Sequence, residues 1–181
     1  MQYSENTPRL AFKVHPGKGP HLLLVHGFLS SSAQWLANLE ALSEVCKPVT
    51  VDLWGHGRSP APRDRTHYSP QAYAGQFEQI RQQLDTDRWF VCGYALGAGL
   101  SIRYAYDYPQ NVHGHIFTNS NSALAAPEQI QEWMRSASKS AADIRSKGLE
   151  AIDRIPVHPR RARNVPEVVK THLLADCATL K

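Results

Sequence analysis

The most constraining stretch of the chain is His21-Leu22-Leu23-Leu24-Val25. After its first residue no polar side chain interrupts it. A strand that is apolar on both faces must be covered on both sides, as the strands of a parallel α/β sheet are. Similar short runs predict further strands at residues 10–14, 48–51, 89–92 and 115–118. Longer amphipathic stretches separate them. Ser30-Ser31-Ser32 offers N-cap oxygens for a helix from Gln34 to about Val45. Residues 70–84 repeat Tyr73, Phe77, Ile80 and Leu84 along one helical face. A further helix runs from Leu96 to about Tyr108 and is stopped by Pro109. The alternation predicts an α/β fold with a mostly parallel sheet flanked by helices. From about Ala123 the rhythm changes: residues 127–147 and 166–180 read as helices, with Pro127 and Pro166 near their first turns and no apolar strand between them. This divides the chain into a core portion, 1–122, and a helical cap segment, 123–181.

Composition narrows the function classes. With 181 residues and 42% hydrophobic content the chain can bury one sizeable core. No run of about 18 apolar residues is present, and MQYSENTPRL lacks the charged-then-apolar order of a signal peptide, so a cytoplasmic protein without a membrane partner is expected. Cys46, Cys92 and Cys177 are odd in number and scattered, which suits neither a disulfide framework nor a metal site. The net charge of +4 is concentrated in residues 151–181, which hold 6 Lys+Arg against 3 Asp+Glu. The cluster His158-Pro159-Arg160-Arg161-Ala162-Arg163 could meet a phosphate, but three arginines beside prolines read as a solvated loop, and no nucleic-acid partner is expected. The phosphate-binding pattern G-x-G-x-x-G is absent from the first strand–helix junction, so no cofactor is expected.

Three motifs carry chemistry. A serine hydroxyl becomes a nucleophile only beside a base, and the oxyanion it generates needs preorganised donors. G-x-S-x-G between a strand and a helix meets the first need by exposing the serine on a strained turn. Gly93-Tyr94-Ala95-Leu96-Gly97 has that setting with alanine at the centre. Val25-His26-Gly27-Phe28 closes the preceding buried strand where an HG turn would aim a backbone N–H at the same place. Asp52-Leu53-Trp54-Gly55-His56-Gly57-Arg58-Ser59 follows the next strand as a glycine-punctuated loop.

In this order, the three motifs resemble those of the cap-bearing branch of the α/β-hydrolase superfamily: esterases, lactonases and C–C bond hydrolases. The resemblance covers residues 8–122 with specific motifs and 123–181 loosely. It implies acyl transfer through an acyl-enzyme on a small ester-like substrate, with Ala95 at the nucleophile position. It places the oxyanion hole at the backbone N–H groups of Phe28 and Leu96. Leu29 and Tyr94 would lie at the pocket mouth, and Trp133 and Met134 in its roof. His26, Gly27, Gly93, Gly97, Asp52 and His56 would hold the motifs in shape, Asp52 through a cap or loop bond. The loop Asn119-Ser120-Asn121-Ser122 could touch ligand. Family order puts the catalytic acid and histidine after later strands, and none of His113, His115, His158 and His172 has that setting. The chain is therefore expected to be inactive by itself: incomplete on the C-terminal side of its sheet, and completed by a second polypeptide that supplies further strands with the Asp and the His and covers the last strand's edge. A non-catalytic ligand-binding or receptor subunit is the alternative.

Overall fold

The structure, a computed structural model, describes residues 8–120 and 125–180. Its sheet has five strands: β1 (Phe12–Val14), β2 (His21–Val25), β3 (Lys47–Val51), β4 (Trp89–Tyr94) and β5 (Val112–Thr118). They lie in the order β1-β3-β2-β4-β5, with β1 antiparallel to β3 and the other pairs parallel. The expected mostly parallel α/β sheet is therefore present. The run that predicted it is covered on both faces: Leu22, Leu23, Leu24 and Val25 are all buried.

The helices are α1 (Leu36–Ser43), α2 (Pro70–Gln83), α3 (Leu96–Asp107), α4 (Pro127–Lys147), α5 (Leu149–Asp153) and α6 (Glu167–Ala178). Helix α1 is preceded by a 3-10 turn, Ser32–Trp35, whose N-cap Ser31 accepts a hydrogen bond from the Ala33 N–H. The serine run thus caps a tighter turn than the α-helix expected from Gln34. Helices α2 and α3 cover one sheet face, where Leu23, Val25, Val49, Val51 and Val91 pack with Phe77, Trp89 and Tyr104. On the other face Leu22, Leu24 and Cys46 meet Trp35, Leu39 and Leu42.

Several bounds differ from expectation for physical reasons. Strand β1 begins at Phe12 rather than Leu10, whose N–H is taken by the Gln76 side chain instead of a strand partner. Strand β5 starts at Val112, three residues earlier than its apolar core implied. As an outer strand it tolerates His113 and Gly114, because pairing with β4 and not burial defines it. Helix α5 follows Gly148, whose φ of 58° breaks the path after α4. The boundary expected at 122/123 lies outside the described residues.

The chain turns to β3 on one side of β2 and to β4 and β5 on the other. The carboxyl ends of these strands are level, with Val25 beside both Val51 and Gly93. Open α/β sheets form their ligand crevice at such a reversal, outside the carboxyl ends.

Candidate functional site

At that crevice, Ala95 joins β4 to α3 at φ 51° and ψ −111°. A residue with a Cβ is rarely found in this region, and holding one there costs about 1–3 kcal/mol. The surroundings over-determine the turn. The Ala95 N–H donates to Thr118 O at 3.0 Å, and Ala95 O accepts from the Ala98 N–H at 3.1 Å. A Cβ at Gly93 would strike Ser101 Oγ and Gly97 O, and one at Gly97 would strike the carbonyl oxygens of Val25 and His26. The two glycines are therefore what lets α3 start this close to β2 and β4. Leu96 is the first residue of α3, so its N–H has no intrahelical partner. Neither it nor the Phe28 N–H donates to another group among the described residues.

The HG turn is held from three sides. His26 is fully buried; its Nδ1–H donates to Gly27 O at 2.7 Å and its Nε2 accepts from the Leu53 N–H at 3.0 Å. Both ring nitrogens are occupied, so this histidine offers no free base. Burial, with His56 nearby, lowers its pKa to about 4 against the pull of Gly27 O and Asp52. Gln34 Oε1 accepts from the Gly27 N–H at 3.1 Å. Asp52, also buried, accepts from the Ser32 N–H at 2.7 Å and from the Arg58 N–H at 3.2 Å. Burial would raise its pKa, but these donors outweigh it and hold the carboxyl below its ordinary value. Asp52 thus ties the loop after β2 to the loop after β3 and hydrogen-bonds no histidine among the described residues. His56 donates from Nδ1 to Trp54 O at 2.8 Å, and its ring lies 5.3 Å from His26 and 6.0 Å from Phe28. Burial is the largest cause of its lowered pKa.

Two cavities open here. One, of about 450 Å³, is lined by Phe28, Tyr94 and Ala95 together with Gln34, Asn119 and Arg161. Asn119 Nδ2 donates to the Tyr94 hydroxyl at 3.0 Å. The other, of about 590 Å³, runs along α4 and α5 past Trp133, Ala137, Ile144 and Ile155. Phe28 and Pro156 line both. Of the residues expected at the mouth and roof, Tyr94 and Trp133 line a cavity, whereas Leu29 and Met134 line neither. Leu29 is buried with φ 55°, and Met134 is 65% exposed. Residues 121 and 122 of the Asn-Ser loop lie outside the described residues.

Sequence reasoning did not single out Gln34 or Arg161. Gln34 was read as the start of a helix and Arg161 as part of a solvated loop. Of the four histidines after Ala95, His158 reaches the smaller cavity. It is buried, with Nδ1 accepting from the Arg160 N–H at 3.2 Å and Nε2 lying 3.2 Å from Asp153 Oδ1 and 3.3 Å from Cys177 Sγ. His113 stacks on Phe90, His115 Nε2 meets Ser101 Oγ at 2.8 Å, and His172 bonds Val168 O. Among the described residues no helix is long and apolar enough to cross a membrane, and no three His, Cys, Asp or Glu side chains gather as a metal site.

A family profile described as the alpha/beta hydrolase fold matches residues 20–160. An uncharacterized protein of Mycobacterium tuberculosis is 36% identical over 104 residues, which are 58% of this chain and 30% of that protein. The solved structure of an N-acyl homoserine lactonase mutant complexed with N-hexanoyl homoserine lactone is 31% identical with a TM-score of 0.57, covering 62% of this chain and 42% of its own. An epoxide hydrolase from Bacillus megaterium shares the fold at 18% identity and a TM-score of 0.77, covering 95% of this chain and 64% of that one. The chain thus spans less than two thirds of the length of each.

Proposed function

This chain belongs to the α/β-hydrolase fold family, and from that premise we propose that it carries the substrate-binding and oxyanion-stabilising part of a serine-hydrolase-type site for small carboxylic esters or related acyl compounds. The observation that carries this reading is the backbone of Ala95. A non-glycine residue held at φ 51° between β4 and α3 is the turn on which the family presents its nucleophile. Only the hydroxyl is lacking. Phe28 and Leu96 offer the N–H donors for the substrate carbonyl oxygen, and the start of α3 adds its favourable dipole. The larger cavity along α4, where Trp133, Ala137, Ile144 and Ile155 stand among more polar neighbours, takes an apolar substituent.

In its present form the site binds an ester and leaves it intact, because removing a nucleophile of this type costs on the order of 10⁶-fold in rate and spares binding. The acid and the histidine come from further strands that pair with β5. Among the described residues β5 has β4 as its one strand neighbour, and Ile116 and Phe117 on it are 53% and 47% exposed. An edge with exposed apolar side chains favours a covering strand. Such a partner would complete acylation of a serine at position 95 and hydrolysis of the acyl-enzyme.

The binding part is tested by titrating p-nitrophenyl butyrate into the isotope-labelled chain. The amides of Phe28, Ala95 and Leu96 should shift with no release of p-nitrophenol, and a titration that leaves those amides unmoved removes the reading. For the reaction, Ala95→Ser with a complementing strand segment that carries an Asp and a His should give a burst and turnover. Binding without turnover by that assembly, for esters, thioesters and lactones alike, would favour a ligand-binding subunit.

A further inference from the structure

The basic cluster at 158–163 does not act as one surface. The 3-10 turn Pro159–Arg161 sends its two arginines to different neighbours. Arg160 Nη2 pairs with Asp153 Oδ2 at 3.3 Å. Arg161 instead lines the cavity that contains Ala95. Its guanidinium donates from Nη2 to the Asp153 carbonyl oxygen at 3.4 Å and meets no carboxylate among the described residues. Among the described residues no Asp or Glu lines this cavity. The guanidinium is thus steadied by a neutral carbonyl, without a carboxylate partner among the described residues, on a residue that lines the cavity.

Other lining groups share the same polarity of need. Ser30 Oγ is buried and has no hydrogen-bond partner among the described residues. The Gln34 side chain spends its oxygen on the Gly27 N–H and keeps its amide hydrogens for donation. A cation and two unspent donors in a cavity without acidic groups match an acceptor-rich anion. One guanidinium supplies one charge, and its planar fork fits a singly charged carboxylate. The α4 cavity, which shares Phe28 and Pro156 with this one, is lined mostly by apolar atoms and leaves room for the rest of the molecule.

We propose that Arg161 selects, for the site over Ala95, esters that carry a carboxylate on one side of the scissile bond and an apolar group on the other. This specificity rests on the ester-binding reading above. Because Arg161 is exposed to water, the gain is about three- to fivefold in affinity rather than the hundredfold of a buried pair.

The test compares monohexyl succinate with its neutral counterpart hexyl methyl succinate, by calorimetric titration of the unaltered chain. The monoester should bind about three- to fivefold more tightly. Arg161→Gln should abolish that advantage. Arg160→Gln, which removes the neighbouring charge but not the one in the cavity, should preserve it. Equal affinities in the unaltered chain, or a preference that survives Arg161→Gln, would overturn the selectivity and leave ester binding standing. Binding of neither compound would overturn both.

Discussion

Helices α4 and α6 both belong to the segment after the last strand, yet they stand in opposite relations to the core. Helix α4 has 21 residues and a recurrent apolar stripe through Ile130, Trp133, Ala137, Ala141 and Ile144, but none of its residues is buried. Helix α6 has 12 residues and buries Val169, Leu173 and Cys177. Val169 and Leu173 pack with Ala33, on the turn that follows the HG motif, and Ser31 Oγ donates to Asp176 Oδ2. A long amphipathic pattern is therefore no measure of attachment. What anchors a helix is the partner its apolar face meets, and α4 turns part of that face to a cavity instead of to packed side chains.

The largest effect that would sharpen this contrast is Leu173→Ala, which should cost about 2–5 kcal/mol in urea unfolding by opening a void under α6. A loss under 1 kcal/mol would mean that α6 is no better anchored than α4. Acid acts on the same junction through the HG turn. An unfolded imidazole takes up its proton near pH 6.5, whereas His26 does so only at about 4. Between those values the unfolded chain binds more protons, so stability should fall as pH drops through that window, by about 3 kcal/mol at its lower end. His56, lowered by burial, adds to the loss in the same direction. Unfolding free energies measured from pH 7 to pH 4 check this, and His26→Gln should flatten the profile. Ser31→Ala removes both the 3-10 cap and the bond to Asp176, for about 1–2 kcal/mol. Trp133→Ala on α4 should change stability by no more than about 0.5 kcal/mol. Its effect should appear instead as weaker binding of hexyl esters, read by the same calorimetric titration. If Trp133→Ala unfolds the chain as Leu173→Ala does, the distinction between the two helices is lost.

The sheet was legible in the sequence because burial on both faces leaves a mark on every residue of β2, and the elbow was legible because Gly93 and Gly97 sit where only a hydrogen fits. Helix α4 was read with the bounds it has, 127–147, from Pro127 at its first turn and the change of rhythm after β5. The attachment of α4 and α6 was not legible, because periodicity reports a face and says nothing of what lies opposite it. At the crevice the strained turn through Ala95 was legible from its flanking glycines, and the lining side chains that come from beyond β5 were less so. Trp133 lines a cavity and its neighbour Met134 does not, a difference of one position around the helix. Arg161 shared its local signature with Arg160, and only the turn at Pro159 separated the ion pair from the cavity.

The φ of Ala95 has a consequence for heredity as well as for energy. Alanine and serine codons differ by a single base, so a lineage carrying this turn stands one nucleotide from a hydroxyl at the point where the backbone is already bent to present it. The strain lies in the scaffold, not in the reactive group. On the proposed reading, exchange of that one oxygen would leave the turn itself unchanged, because the torsion angle belongs to the backbone and not to the side chain it carries.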